Sequence, residues 1–294
     1  MKMSEEILAQ LNAVIQRDPC NTRAIARRGE TYRSLKQYEK ALGDFNRAIA
    51  LKPDYAWAIA RRGETYRLLE NYSEAIADFD GAIALQPDYA WAYAHRGMTY
   101  RLWGEPYYRQ ALGDFSRAIE LQPDYAWAIA YRARIHDLLR CYEEALADFD
   151  RAMALDKHKN LFDHWQCERG LLLSYCGQYA EAIASCKEVL RENTEDSFAL
   201  YNIAVFKARW HGLTEARPEI DRARSVLLSL VGTEEQGLAI YRLGGLAAIE
   251  GQTELALSYL EKSVLLDTEA REFALHDVAW LDLRANPSFR AITS

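Results

Sequence analysis

The sequence predicts an all-α solenoid of about seven stacked helix pairs with a cap at each end, and three observations carry the prediction. The hexapeptide PDYAWA stands at 53–58, 87–92 and 123–128, so that Trp57 and Trp91 are 34 residues apart and Trp91 and Trp127 are 36. A fixed period in the thirties marks a stack of units, each packed on its neighbours. Each period divides into two runs whose apolar and small residues recur one helical turn apart. A proline (Pro53, Pro87, Pro123) follows each second run, where its missing amide stops a helix.

At the front, Ile7, Leu11 and Val14 lead to Pro19 in the phase of a second run alone. Residues 3–17 are therefore expected to form a capping helix within a segment 1–21. Four regular units follow over 22–162. In the unit that begins at Ala56, the first run carries Ile59, Gly63 and Tyr66, and the second carries Tyr72, Ala75, Ile76, Phe79, Ala82 and Ile83. Both read as helices of about four turns, joined by a short turn at Glu70-Asn71. The small residues mark close helix approach, and Tyr66 and Phe79 fill the space beside them. The third unit is two residues longer, because GEPYYRQA replaces LENYSEA at the turn. Pro106, Tyr107 and Tyr108 there read as a tolerated loop insertion or an auxiliary contact. Three degenerate units are expected over 163–268, marked by Gly170, Gly177 and Ala182, by Ala204, Ala216 and Ala223, and by Gly244, Gly251 and Ala256. Pro218, early in a second helix, is expected to disturb it. Residues 269–294 are expected to form a capping helix over FALHDVAWLDL, a turn at Asn286-Pro287 and a tail.

The set Gly63, Tyr66, Ala75, Phe79, Ala82, Pro87 recurs as Gly29, Tyr32, Ala41, Phe45, Ala48, Pro53 and as Gly97, Tyr100, Ala111, Phe115, Ala118, Pro123. A fourth copy carries Ala133, His136, Ala145, Phe149 and Ala152, with Lys157 in the proline's place. This pattern resembles the tetratricopeptide repeat, a helix–turn–helix unit of about 34 residues, in a tandem array of bacterial type. The resemblance covers 22–268. It implies a right-handed solenoid whose first helices line a concave inner surface. The family's Trp and Leu near the start of the first helix are absent. Ile25, Ile59, Tyr93 and Ile129 stand for the one, and Arg28, Arg62, Arg96 and Arg132 for the other. Each arginine has an aspartate on the second run of its own unit (Asp44, Asp78, Asp114, Asp148), so a recurring ion pair inside the stack is favoured over a ligand role.

Composition removes several function classes. A net charge of −7 argues against non-specific nucleic-acid binding, which needs a basic surface. No apolar run reaches the roughly 18 residues of a membrane-spanning helix. The N-terminal stretch has acidic residues where a secretory signal would be basic, which points to the cytoplasm. The five cysteines include no CxxC pair. His158, His164 and Cys167 lie close in sequence, but surface histidines and a cytosolic thiol are favoured, and no metal is assigned. No phosphate cradle, dinucleotide fingerprint, GxSxG or HExxH motif is present. The expectation is a protein without catalytic activity or cofactor.

One face of each first helix remains. Trp57, Ala60, Glu64, Arg67 and Leu68 share it, as do Trp91, Ala94, Met98, Arg101 and Leu102, then Trp127, Ala130, Arg134, Asp137 and Leu138. The first unit supplies Arg23, Ala26, Glu30 and Arg33. The resemblance places this face on the concave side. Trp and Arg dominate binding hot spots, so Trp57, Trp91, Trp127, Arg33, Arg67, Arg101, Met98 and Arg134 are the expected partner-binding residues. Packing of the indoles against neighbouring units, beside Tyr55, Tyr89 and Tyr125, is an equal reading. Glu30 and Glu64 can hold Arg33 and Arg67 in intrahelical pairs, which leaves Arg101 as the freest, and for the arginines a solvated face is favoured over partner contact. The lysine–asparagine set with which the family's co-chaperones hold a C-terminal carboxylate is missing, with Ala26 and Glu30 at its first places. The function read here is a non-enzymatic scaffold that binds a peptide or partner protein in a concave groove. The alternatives are a sensor or regulatory subunit of a bacterial signalling system, and a structural protein that assembles into homo-oligomers.

Overall fold

The computed structural model describes residues 2–155, 162–267 and 270–294, which form helices and turns with no strand among them. They fall into two compact units, Met1–Leu155 and Asp156–Ser294.

The first unit begins with α1 (Lys2–Arg17) and continues as four helix pairs: α2 (Thr22–Ser34) with α3 (Tyr38–Leu51), α4 (Ala56–Leu68) with α5 (Tyr72–Leu85), α6 (Ala90–Trp103) with α7 (Tyr108–Leu121), and α8 (Ala126–Leu138) with α9 (Tyr142–Leu155). Glycine sets the distance inside a pair. A Cβ on Gly63 would lie 3.0 Å from Asp78 Cβ and 3.1 Å from the Ala75 carbonyl, so the two backbones meet there without a side chain between them. Gly29 and Gly97 sit in the same way against α3 and α7. The buried rings of Phe45, Phe79, Phe115 and Phe149 fill the space beside the contact.

The turn inside each pair uses a left-handed residue: Lys36, Glu70 and Arg140 have φ near +60°. In the longer third pair, Gly104 (φ +108°) leads into a 3-10 turn, Glu105–Tyr107. The insertion is ordered by aromatic stacking, with Trp103 on Tyr107 at 4.4 Å and Tyr107 on Tyr100 at 5.7 Å. Between pairs, α5 ends at Leu85, Gln86 N–H donates back to the Ala82 carbonyl, and Pro87 prevents continuation. The Tyr89 carbonyl then accepts from Ala92 N–H at 2.9 Å and starts α6.

The arginine row rivets the stack. Arg62 donates through Nε and Nη2 to both carboxylate oxygens of Asp78, at 2.8 and 2.6 Å, and through Nη1 to Asn46 on α3 at 2.7 Å. One guanidinium thus ties its own pair to the preceding one. Arg28 bonds Asp44 and reaches Asn12 on α1 in the same way, so α1 occupies the place of a preceding second helix. Arg96 and Arg132 hold Asp114 and Asp148 by the same fork.

The second unit holds three pairs: α10 (Phe162–Tyr175) with α11 (Tyr179–Glu192), α12 (Ser197–His211) with α13 (Leu213–Ser229), and α14 (Gln236–Ile249) with α15 (Thr253–Leu266). It closes with α16 (Ala270–His276), a 3-10 helix at Val278–Leu283 and α17 (Pro287–Thr293). Two expectations are corrected. Pro218 does not interrupt α13, because it lies in the second turn and removes only one early hydrogen bond. FALHDVAWLDL is not one helix. It breaks at Asp277, whose carboxylate accepts from Ala279 N–H at 2.8 Å, and the expected tail is a helix capped by Asn286. Lys157 and His158 lie outside the described residues, as does the side chain of His164.

Candidate functional site on the inner faces

In the first unit, successive first helices touch, α2 on α4, α4 on α6 and α6 on α8, so the face that carries the tryptophans is continuous. Each indole meets the phenylalanine of the preceding pair edge-on: Trp57 on Phe45 at 6.4 Å, Trp91 on Phe79 at 6.2 Å and Trp127 on Phe115 at 6.1 Å. Tyr55, Tyr89 and Tyr125 lie 6.0 Å from the same indoles. The tryptophans therefore pack, yet all three remain half-buried.

Residues one turn further along each helix complete a ladder that sequence reading did not single out. The Arg61 guanidinium lies 4.1 Å from the Trp91 ring and 5.6 Å from Trp57. His95 stacks on Trp91 at 3.8 Å and on Trp127 at 5.1 Å. Tyr131 lies against Trp127 at 4.3 Å, and both Arg101 (5.7 Å) and Arg134 (5.4 Å) cover its ring. The order is Trp57, Arg61, Trp91, His95, Trp127, Tyr131. Cation–π and offset stacking each favour such sequences of rings and guanidinium.

Glu64 fixes the ladder's electrostatics. Its side chain is 7% exposed and bonds Arg67 of its own helix at 2.8 Å, with Arg33 of α2 at 4.0 Å. His95 Nδ1 lies 2.9 Å from its other oxygen. Burial alone would raise the Glu64 pKa, but hydrogen bonds from Arg67 and His95 outweigh it and hold the carboxylate far below its usual range. Burial depresses the His95 pKa, with Glu64 opposing. A neutral imidazole that donates through Nδ1 to an ionised Glu64 satisfies both directions. Arg33 is held likewise by Glu30 at 2.7 Å. Arg101, expected to be the freest arginine, has Met98 Sδ 3.4 Å from its Nε as well as the Tyr131 ring.

The second unit's inner face is filled by its own chain. Tyr175 occupies the helix position of Leu68, and its hydroxyl donates to the His276 carbonyl. Tyr201 and Tyr241, both at the position of Ala60, donate to Asp277 Oδ2 at 2.7 and 2.9 Å. Arg209, at the position of Leu68, reaches the carbonyls of Val278 (3.1 Å) and Ala279 (3.2 Å) and the Asp282 carboxylate (2.7 Å). Trp280 is enclosed, with its ring 5.9 Å from both Tyr241 and Phe289. Burial raises the pKa values of Tyr201 and Tyr241, so both phenols keep their protons as donors.

Residues 22–55 match the family model of the tetratricopeptide repeat, and residues 63–101 match a second model, described as the TPR repeat. The same helix–turn–helix module recurs in every pair described above. The chain carries tetratricopeptide repeats. No curated protein sequence matches it. Among solved structures, this chain is similar to a tetratricopeptide repeat protein from Parabacteroides merdae, with a TM-score of 0.67 and 15% identity over 85% of this chain and 96% of the other. It is similar to a chain of the APC/C hetero-tetramer Cut9-Hcn1, with a TM-score of 0.65 and 14% identity over 89% and 46%. YrrB, described as a TPR protein with an unusual peptide-binding site, gives a TM-score of 0.54 and 21% identity over 62% and 91%. At these identities the likeness shows the fold. Among the described residues, no group of three or more His, Cys, Asp or Glu could hold a metal ion, and no helix is long and apolar enough to cross a membrane.

Proposed function

We propose that the protein is a non-catalytic scaffold whose first unit receives a peptide or partner-protein segment along its inner face. The observation that supports this is the half-buried ladder from Trp57 to Tyr131, with Met98, Arg101 and Arg134 gathered at one end of it. Rings held in register by Arg61 and His95 lose little freedom on binding, and stiff aromatic walls with flanking arginines are hot-spot chemistry. In this reading Arg33 and Arg67 act by fixing Glu64, while Trp57, Trp91, Trp127, Met98, Arg101 and Arg134 meet the partner. The description of YrrB as peptide-binding is in keeping with that use of the fold. The net charge of −7 favours a protein or peptide ligand over nucleic acid.

Site-specific crosslinking tests the proposal. A photoreactive residue in place of Met98 should capture a discrete protein band from a cell extract, and one in place of Gly113, exposed on α7, should not. Replacing Trp91 and Arg101 together with alanine should remove the Met98 band while helix content is retained. Equal capture from both positions, or a band indifferent to the double substitution, would place any partner elsewhere.

A further inference from the structure

The inner face of the second unit reads like a complex between a groove and a peptide, with both halves supplied by one chain. Three first helices each contribute a donor to a short stretch. Tyr175 of α10 meets the His276 carbonyl, Tyr201 of α12 and Tyr241 of α14 meet the Asp277 carboxylate, and Arg209 of α12 meets two further carbonyls. Main-chain carbonyls held from facing side chains, with one acidic and one aromatic anchor, make a mode that recognises a segment by backbone first and side chain second.

The seat is cut to the segment. A Cβ on Gly245 would lie 2.9 Å from Tyr201 Cζ, and a Cβ on Gly244 would lie 2.9 Å from Trp280 Cη2. Two consecutive glycines inside a helix weaken it by about 1 kcal/mol each against alanine. Here they admit the phenol that reaches Asp277 and the indole that follows three residues later. In the first unit the position of Gly245 is Glu64, and the position of Tyr201 is Ala60. The second unit has therefore exchanged charge and small side chains for space and hydroxyl donors on the same face.

We propose that this groove is a second peptide-binding site, specific for an Asp-x-x-Trp segment in a short 3-10 turn, and that residues 276–283 occupy it in cis. The Asp caps the turn through Ala279 N–H while its other oxygen takes both phenols, so each carboxylate oxygen has a separate task. A peptide of the same chemistry competes with the built-in segment, whose local concentration keeps the site closed to weak ligands.

The test uses the full chain and a labelled synthetic peptide of residues 270–289, followed by fluorescence anisotropy. The double variant Asp277→Ala with Trp280→Ala weakens the cis segment and leaves the groove intact. It should bind the peptide at least about tenfold more tightly than the unchanged chain. Adding Gly245→Ala should abolish that gain, because the new methyl group displaces Tyr201. Asp282→Ala alone, which removes the segment's own partner for Arg209 and so loosens it more gently, should give a smaller gain in the same direction. Equal binding by the unchanged chain and both loosened variants overturns the proposal, as does a gain that survives Gly245→Ala. Loss of hydrogen-exchange protection throughout α10–α15 in Asp282→Ala as well as in the double variant also overturns it, since the segment would then be core and not ligand.

Discussion

His95 stacks face to face on Trp91 with ring centroids 3.8 Å apart, and its Nδ1 lies 2.9 Å from Glu64 Oε2. An aromatic wall and a buried carboxylate are thereby coupled through one imidazole. Burial holds the His95 pKa below its ordinary 6.5. As pH falls through 6.5, the unfolded chain takes up a proton that the folded chain resists, so stability falls with acid. Glu64 is held below its ordinary 4.5, against burial, by Arg67 and His95. Its contribution is present above 4.5 and is lost as pH falls towards the depressed folded value. Both signs agree. The melting temperature should decline from about pH 7 to about pH 5 and fall further below 4.5. His95→Gln should lessen the first decline, to which His136, also depressed by burial, contributes, and should leave the second; a variant with an unchanged profile in the first window would rule out His95 as a source.

Two helical glycines give opposite expectations from one substitution. A Cβ on Gly63 meets Asp78 Cβ at 3.0 Å and the Ala75 carbonyl at 3.1 Å, whereas Gly113 has nothing within 4 Å. Gly63→Ala should push α4 from α5 and cost about 1–3 kcal/mol. Gly113→Ala should stabilise by up to about 1 kcal/mol through helix propensity. Chemical denaturation of both variants checks the pair, and a neutral Gly63→Ala would mean that α4 and α5 are less tightly apposed than described.

These glycines also explain which parts of the fold were legible in the sequence. Gly63, Ala75 and Phe79 are demanded by two backbones in contact within one unit, so the requirement recurs at a fixed spacing and can be read directly. The Arg62–Asp78 pair was legible for the same reason. The ladder was only half legible. Arg61, His95 and Tyr131 share one position but not one chemistry, so no repeated residue type marked them. The second groove was barely legible. Tyr201 and Asp277 are 76 positions apart, and nothing local in α12 indicates that its tyrosine serves a segment beyond α15. Only the Gly244-Gly245 doublet in a helical run hinted at a close approach.

The left-handed turn residues give a third prediction. Lys36, Glu70 and Arg140 have φ of +58°, +61° and +60°, while the second unit uses Gly177 and Gly251 at the equivalent turns, with φ of +73° and +75°. A side chain in that conformation costs roughly 1–2 kcal/mol, and glycine returns part of this as backbone entropy. Lys36→Gly, Glu70→Gly and Arg140→Gly should each stabilise by about 0.5–1 kcal/mol. Far-apart sites add, so the triple variant should melt well above the parent. A lower melting temperature would show that the native side chains contribute more than their backbone strain costs.

Trp91→Ala bears on both roles of the aromatic row. The indole touches Phe79 at 6.2 Å on one side, His95 at 3.8 Å and the Arg61 guanidinium at 4.1 Å, yet it is not enclosed. A fully buried tryptophan costs about 3–5 kcal/mol on truncation to alanine. Part of the indole already faces water here, so the expected loss lies below that range, at about 2 kcal/mol, with helix content retained. Trp91→Phe keeps a ring against His95 and should lose about 1 kcal/mol or less. A drop for Trp91→Ala at the top of the buried range would make the indole core, and would move the proposed partner contacts to Met98, Arg101 and Arg134. A drop within a few tenths of a kcal/mol would mean that the ring holds nothing in the free protein, and its stacking on His95 would then be read as a surface kept for a ligand.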